Sequence, residues 1–360
     1  MTSISHARVE RITVGVDTHK HAHVAVALNE IGGLLAKTTI TVNTDGYHEL
    51  EQWALALGSR AVFGIEGTGS YGAGLASHLR RRGHRVIEVV RPNRQQRHLR
   101  GKNDRLDAEN AARAVLAGTA TAIPKSADGC VEMIRQIKIA KDTAVKSRTQ
   151  AMVTLKTIIV NAPAELREEL DELPDRKLLE YCADLPFETM TTPADAARYT
   201  LRTLARRHRS LSQEIDIQER ILQTLTERAA PQLTSVFGIG ADSAAELLIV
   251  AGDNPERLRG EAAFAKLCGA CPIPASSGKT NRHRLYRGGH RQANAALHRI
   301  ALIRMRFHEP TIDYVTRRTT EGKSKAEIMR CLKRFIAREI YHILVANVNT
   351  GIREVTACQT

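Results

Sequence analysis

The sequence predicts an α/β layered domain over residues 11–125, a helical coiled-coil arm over 126–230 and a mostly helical domain over 231–345. Three observations carry this. Short apolar runs alternate with amphipathic stretches through the first third of the chain, the pattern of strands interleaved with helices. Between residues 130 and 230 glycine becomes scarce and helical periodicity takes over. After Pro231, a polar loop at 275–289 leads into two long helical patterns, 292–307 and 325–347. A chain of 360 residues with 42% hydrophobic side chains is long enough to build two or three such cores.

The elements follow in order. Residues 11–17 contain Ile12-Thr13-Val14-Gly15-Val16 and read as a first strand. Residues 21–29 read as a second, closed by a turn at Gly32-Gly33, and 34–42, rich in Thr and Ile, as a third. Residues 45–57 read as a helix, 61–65 as a strand, 71–82 as a helix and 85–90 as a strand, and an Ala-rich helix begins near Asp104.

In the arm, Leu201, Leu204, His208, Leu211, Ile215, Gln218, Leu222 and Leu225 recur at alternating spacings of three and four, a heptad seam with two polar interruptions. The seam fits an internal helix hairpin or a coiled coil that sets oligomer geometry. Pro163, Pro174, Pro186 and Pro193 break the preceding stretch into short pieces. Further on, Val236-Phe237-Gly238-Ile239-Gly240 before a helix over 241–251 resembles a helix-hairpin-helix turn, which offers backbone N–H groups to phosphate. A plain helix–turn–helix connection fits the same residues.

Charge narrows the partners. Lys and Arg number 53 against 39 Asp and Glu, a formal charge of +14, which favours a polyanion such as DNA, RNA or an anionic membrane surface. The cations are grouped: residues 80–85; Arg91, Arg94, Arg97, His98, Arg100 and Lys102; residues 206–209; and Lys279, Arg282, His283, Arg284, Arg287, His290 and Arg291. Such runs favour a nucleic-acid track. Aromatic residues make up only 4%, so contacts to phosphates are expected over base stacking. No apolar stretch reaches the ~20 residues of a membrane span and the N-terminus lacks a signal-peptide core, so a cytoplasmic protein is expected. Six scattered cysteines make no disulfide framework. Cys268 and Cys271 lack the further ligands of a zinc site and read as structural.

Four acids stand out from this basic background. Asp17 follows the first strand, Glu66 follows Ala61-Val62-Phe63-Gly64-Ile65, and Asp104 and Asp107 lie three apart on one face of the Ala-rich helix. Carboxylates just after apolar strands occupy the place where ligands bind in α/β sheets. Four hard oxygen donors suit two Mg²⁺ ions, with Mn²⁺ as an alternative, acting on a phosphodiester. Taken singly, Asp104 and Asp107 would merely complement a helix dipole. His19, His21 and His23 surround Asp17 and could bind metal. His21 and His23 are expected on one strand face, and the cluster is expected to be incidental. The Ser276-Ser277-Gly278-Lys279 loop is, by composition alone, a generic serine–glycine loop.

At these residues the chain resembles the DEDD transposases of the insertion sequence 110 family. Asp17-Thr18-His19-Lys20, Glu66-Gly67-Thr68-Gly69-Ser70-Tyr71 and Lys102-Asn103-Asp104-Arg105-Leu106-Asp107-Ala108 look like its three N-terminal signatures. Gly269-Ala270-Cys271-Pro272 through Ser277-Gly278-Lys279, then Arg287-Gly288-Gly289-His290-Arg291, look like its second domain. The resemblance implies a RuvC-like, ribonuclease-H-type fold for residues 11–125, a helical arm, and a C-terminal domain carrying a catalytic serine. It implies that Asp17, Glu66, Asp104 and Asp107 bind metal and that Ser277 forms a phosphoserine link to DNA. It implies a homo-oligomer, dimer or tetramer, directed by a structured guide RNA. The sequence departs from the family where Lys279 follows Gly278 directly and where Asn103 replaces a usual Thr; Ser276 is a second candidate hydroxyl. Nucleic-acid contacts are expected from Arg94, Arg97, Arg100, Lys102, Lys279, Arg282, Arg284, Arg287 and Arg291. The function expected is DNA transposition or recombination. A RuvC-like Holliday-junction nuclease using water alone, or a non-catalytic nucleic-acid-binding protein, are the alternatives.

Overall fold

The computed structural model describes residues 9–89, 103–186, 189–276, 278 and 283–357. These fall into two compact units, residues 1–127 and 128–360.

The first unit is built on a five-stranded sheet: β1 (Val9–Thr18), β2 (Ala22–Leu28), β3 (Leu34–Thr41), β4 (Gly58–Glu66) and β5 (Arg85–Val89), in the order β3-β2-β1-β4-β5. β1, β2 and β3 form an antiparallel meander, and β4 and β5 run parallel to β1. β1 and β4 are covered on both faces, which is why they read as nearly unbroken apolar runs. Edge strand β3 is half exposed. Each predicted strand and helix of this unit is present with its ends shifted by a few residues. Val90 lies outside the described residues.

One face is covered by α1 (Thr44–Leu57) and α2 (Ala73–Arg81), which close a core of Ile12, Val14, Val16, Leu50, Phe63 and Leu75. Asn43 caps α1 by accepting from the Gly46 N–H at 2.8 Å. The other face carries α3 (Asp104–Leu116), whose Ala108 and Ala112 pack on Val26 and Leu28 of β2. Gly15 and Gly64 are paired across β1 and β4 beneath this helix. A Cβ on Gly15 would meet the Ala112 nitrogen at 2.3 Å, and one on Gly64 would meet Val115 at 2.6 Å. Two glycines thus make a flat seat, and an Ala-rich helix face settles into it.

The second unit opens with α4 (Cys130–Val160), followed by the short helices α5 (Ala164–Asp171) and α6 (Asp175–Asp184) and the long α7 (Pro193–Ala229). Prolines stand at the starts of α5, α6 and α7, where a missing N–H costs nothing. α4 and α7 pair antiparallel. Cys130 Sγ reaches the Leu225 carbonyl, Lys141 pairs with Glu219, and Leu155 clusters with Leu201. The heptad residues Leu201, Leu204, Ile215 and Leu222 are buried in this hairpin.

The hairpin end near Ile134 and Leu222 shares its core with the rest of the unit, around Leu247, Phe264, Leu297, Ile300 and Ile336. That remainder comprises α8 (Pro231–Thr234), α9 (Ala241–Ala251), α10 (Glu261–Leu267), β6 (Pro272–Pro274), β7 (His283–Leu285), α11 (Arg291–Phe307), α12 (Glu309–Thr320) and α13 (Lys325–Ala357). Gly238 takes a left-handed φ of 83° in the turn before α9, and Arg304 Nε donates to the Phe237 carbonyl at 3.0 Å. β6 and β7 pair antiparallel, Pro272 opposite Leu285. This corrects the expectation of loop throughout 275–289, because a three-residue strand is too short to show a period. No described helix is long and apolar enough to cross a membrane.

Candidate metal centre

The N-terminal acids meet at the carboxyl ends of the parallel strands. Asp17 is next to last in β1 and Glu66 is last in β4. The parallel register, which pairs Val16 with Ile65, brings them side by side. Asp104 and Asp107 occupy the first turn of α3, where Asn103 accepts from the Arg105 N–H at 3.0 Å and fixes the helix start. The glycine seat under α3 brings that turn over the end of β1, close enough for Asp104 and Asp107 both to act on the charge of Asp17. Glu66 and Asp107 line a common cavity of about 390 Å³ together with Glu88 and Asn110. Asp17, Glu66 and Asp107 are buried, whereas the Asp104 side chain is 47% exposed. Asp104 also opens onto a groove lined by Lys37, Thr39 and Arg105.

The loop after β4 is braced against β1. Thr18 Oγ1 donates to the Glu66 carbonyl at 2.9 Å, and Gly67, at φ 64°, turns the chain so that the Ser70 N–H donates to the Gly67 carbonyl at 2.8 Å. The backbone that carries Glu66 is therefore fixed to the strand that carries Asp17.

His19 completes the cluster. Its Nε2 lies 3.1 Å from Asp17 Oδ2 and 3.3 Å from Asp104 Oδ2. Ligand atoms of these three residues lie within 4.8 Å of one another, the one such group among the described residues. The Nε2 atom is buried yet has no well-aligned hydrogen bond. The sequence reading treats the histidine cluster as incidental, whereas the structure sets His19 beside both Asp17 and Asp104. A tight turn, in which the His19 N–H donates to the Ala22 carbonyl at 3.2 Å, folds it back over Asp17. His21 is exposed and precedes β2, so it does not share a strand face with His23. His23 is fully buried, stacks on Tyr47 and is held below its ordinary pKa by burial. The signal for His19 was its place two residues beyond a strand-end acid.

Like charges crowd this site. Burial pushes the Asp17 carboxyl above its usual range, and repulsion from Asp107 and Asp104 adds to this, while His19 opposes it. A cation among these groups would replace repulsion by attraction. Carboxylate oxygens with one imidazole nitrogen suit Mg²⁺ or Mn²⁺, so the residues present fit a divalent ion.

The other predicted site residues divide in two. Ser277, Arg94, Arg97, Arg100, Lys102, Lys279 and Arg282 lie outside the described residues. Arg284 on β7, Arg287 after it and Arg291 at the start of α11 are exposed. Cys268 is fully buried, and burial pushes its thiol up to about 12.

Residues 14–161 match the transposase family of the IS110 DEDD type, and residues 230–316 match the transposase family described as IS116/IS110/IS902. The chain belongs to the IS110 family of transposases. It is accordingly a DNA transposase or recombinase, an enzyme with DNA as its partner. The first match contains all four acids and His19; the second contains the β6–β7 hairpin, all of α11 and the first part of α12. No curated protein shows significant similarity.

Proposed function

We propose that this IS110-family transposase cuts and rejoins DNA at a divalent-metal centre held by Asp17, Glu66, Asp104 and Asp107, with Ser277 as nucleophile. The convergence of Asp17, His19 and Asp104 beneath the α3 helix start carries the reading. The strand order β3-β2-β1-β4-β5, with acids at the ends of β1 and β4, supports a RuvC-like fold for the first unit.

Bound Mg²⁺ or Mn²⁺ would supply Lewis-acid neutralisation of phosphate charge. The protein's own residues do the rest. Buried Asp17, Glu66 and Asp107 are fixed by β1, β4 and α3, so they orient without reorganising. Half-exposed Asp104 faces the groove where Lys37 and Arg105 attract a phosphate backbone. His19 positions Asp17 and Asp104 relative to one another. Ser277 Oγ attacks phosphorus: an O–P bond to serine forms, the P–O bond to one strand breaks, and the serine proton leaves on that strand's new hydroxyl. Attack by a strand hydroxyl on the phosphoserine reverses the balance and rejoins DNA.

The remaining partners belong to the same proposal. A net charge of +14 suits simultaneous binding of DNA and a structured guide RNA. Ile139, Val153, Ile217 and Ile221 leave apolar surface exposed on the α4–α7 hairpin, which supports a coiled-coil arm joining copies into a dimer or tetramer. A cytoplasmic location goes with this chemistry.

The test is a covalent adduct. Wild-type protein incubated with element-end DNA and Mg²⁺ should give a protein–DNA species that survives denaturing electrophoresis, and Ser277→Ala should not. An adduct that persists in Ser277→Ala moves the role to Ser276. Strand cleavage without any adduct supports hydrolysis by water instead.

A further inference from the structure

The second unit contains a cavity of about 370 Å³ between the β6–β7 hairpin and α13. Arg284, Arg318, Lys323, Arg330, Lys333 and Arg334 all line it, over an apolar floor that includes Ile328 and half-exposed Phe335. Its carboxylate, Glu327, is already engaged, accepting from the Ser324 N–H at 2.9 Å and the Ser324 hydroxyl at 2.8 Å to cap α13. Arg318 pairs with Glu321, and Arg334 Nη2 pairs with Glu261 at 2.9 Å.

Two donors in this cavity are not balanced. Lys333 is only 7% exposed, and its ammonium donates to the neutral Asn294 Oδ1 at 2.5 Å. Among the described residues no carboxylate pairs with it. Asn294 cannot turn away, because its amide nitrogen donates to the Cys268 and Gly269 carbonyls at 3.0 and 2.9 Å. Arg334 Nη1 is buried with no hydrogen-bond partner. Burial alone depresses the Lys333 ammonium, and no neighbouring acid restores it. A buried ammonium without a counter-charge is costly, and an anion held in the cavity would offset that cost. Arg287, just after β7, and Arg291, at the start of α11, are exposed as well, and further cations on this unit suit a chain of phosphates better than a single small anion.

We propose that this cavity holds one phosphodiester of a nucleic-acid strand, clamped by Lys333 and Arg334, with Phe335 against the adjoining sugar or base. The inference rests on the reading of this chain as a nucleic-acid enzyme and adds a binding site to it. Lys333 and Arg334 lie beyond residue 316, where the second family match ends.

The test uses the full chain and short fluorescein-labelled single strands, one of DNA and one of RNA, in fluorescence anisotropy over a series of salt concentrations. Lys333→Met should weaken binding of at least one strand roughly tenfold. It should also reduce the slope of log affinity against log salt by about 1. Exposed Lys177→Gln should change neither. Loss confined to the DNA strand assigns the site to DNA, and loss confined to the RNA strand assigns it to RNA. Should circular dichroism show Lys333→Met to be unfolded, the rim double variant Arg284→Gln/Lys323→Gln decides by the same two readouts. Wild-type binding with unchanged affinity and slope in the folded variants overturns the proposal alone. Failure of the wild type to bind either strand overturns the nucleic-acid reading and the proposal with it.

Discussion

Gly15 lies against the backbone of Ala108: a Cβ at position 15 would stand 2.0 Å from the Ala108 carbonyl oxygen. That contact sets the height of α3 above β1, and hence the distance from Asp104 and Asp107 to Asp17. Neither side is a flexible side chain, so the helix must move to admit even a methyl group. Gly15→Ala should destabilise the first unit by about 1–3 kcal/mol and abolish recombination even though no acid has changed. Thermal unfolding beside a plasmid recombination assay checks both.

The acid cluster should be destabilising until a cation fills it. Burial and repulsion raise the Asp17 carboxyl in the fold, so its ionised form costs stability at neutral pH. In chelator-treated protein, Asp17→Asn should raise stability by about 0.5–2 kcal/mol. Added Mg²⁺ should raise the Tm of the wild type and not that of the variant. Differential scanning fluorimetry with and without Mg²⁺ reads this directly.

His19 touches two of the proposed ligands and has no structural duty in the core. His19→Gln should leave the fold intact and weaken divalent-ion affinity about 10–100-fold. A Mn²⁺ titration followed by electron paramagnetic resonance measures the change.

The fold of the first unit was largely legible because its strands are long and its apolar runs unbroken. Asp17 and Glu66 stood out because each ends such a run. His19 was set aside with His21 and His23 because its approach to Asp17 and Asp104 depends on the turn closed by the His19 N–H and the Ala22 carbonyl. The heptad seam was visible in Leu201, Leu204, Ile215 and Leu222, but its partner helix, α4, has no matching signature. The β6–β7 pairing escaped because three-residue strands show no period, and the cavity at Lys333 escaped because it joins segments far apart in sequence. Lys333 looks like any helical lysine until burial is known.

A second cluster, remote from the proposed chemistry, predicts acid sensitivity. Glu51 is buried on α1 and meets Arg82 Nε at 2.8 Å and His84 Nε2 at 2.8 Å. Burial opposes its charge, but the hydrogen bonds from Arg82 and His84 outweigh burial and hold the carboxyl at about 2. A depressed carboxyl contributes stability above its ordinary value of 4.5 and loses it as pH falls toward about 2. Urea unfolding of the wild type should therefore weaken between about pH 5 and pH 2. Glu51→Gln should lose about 1–3 kcal/mol at neutral pH and flatten that dependence.

The central claim is that the acids of β1 and α3 perform the strand chemistry. Asp17→Ala and Asp104→Ala, tested in a plasmid recombination assay with element-end DNA, guide RNA and Mg²⁺, address it most directly. The account predicts no recombinant product from either variant, with circular dichroism and nucleic-acid binding unchanged. Recombination at the wild-type level by either variant would contradict it.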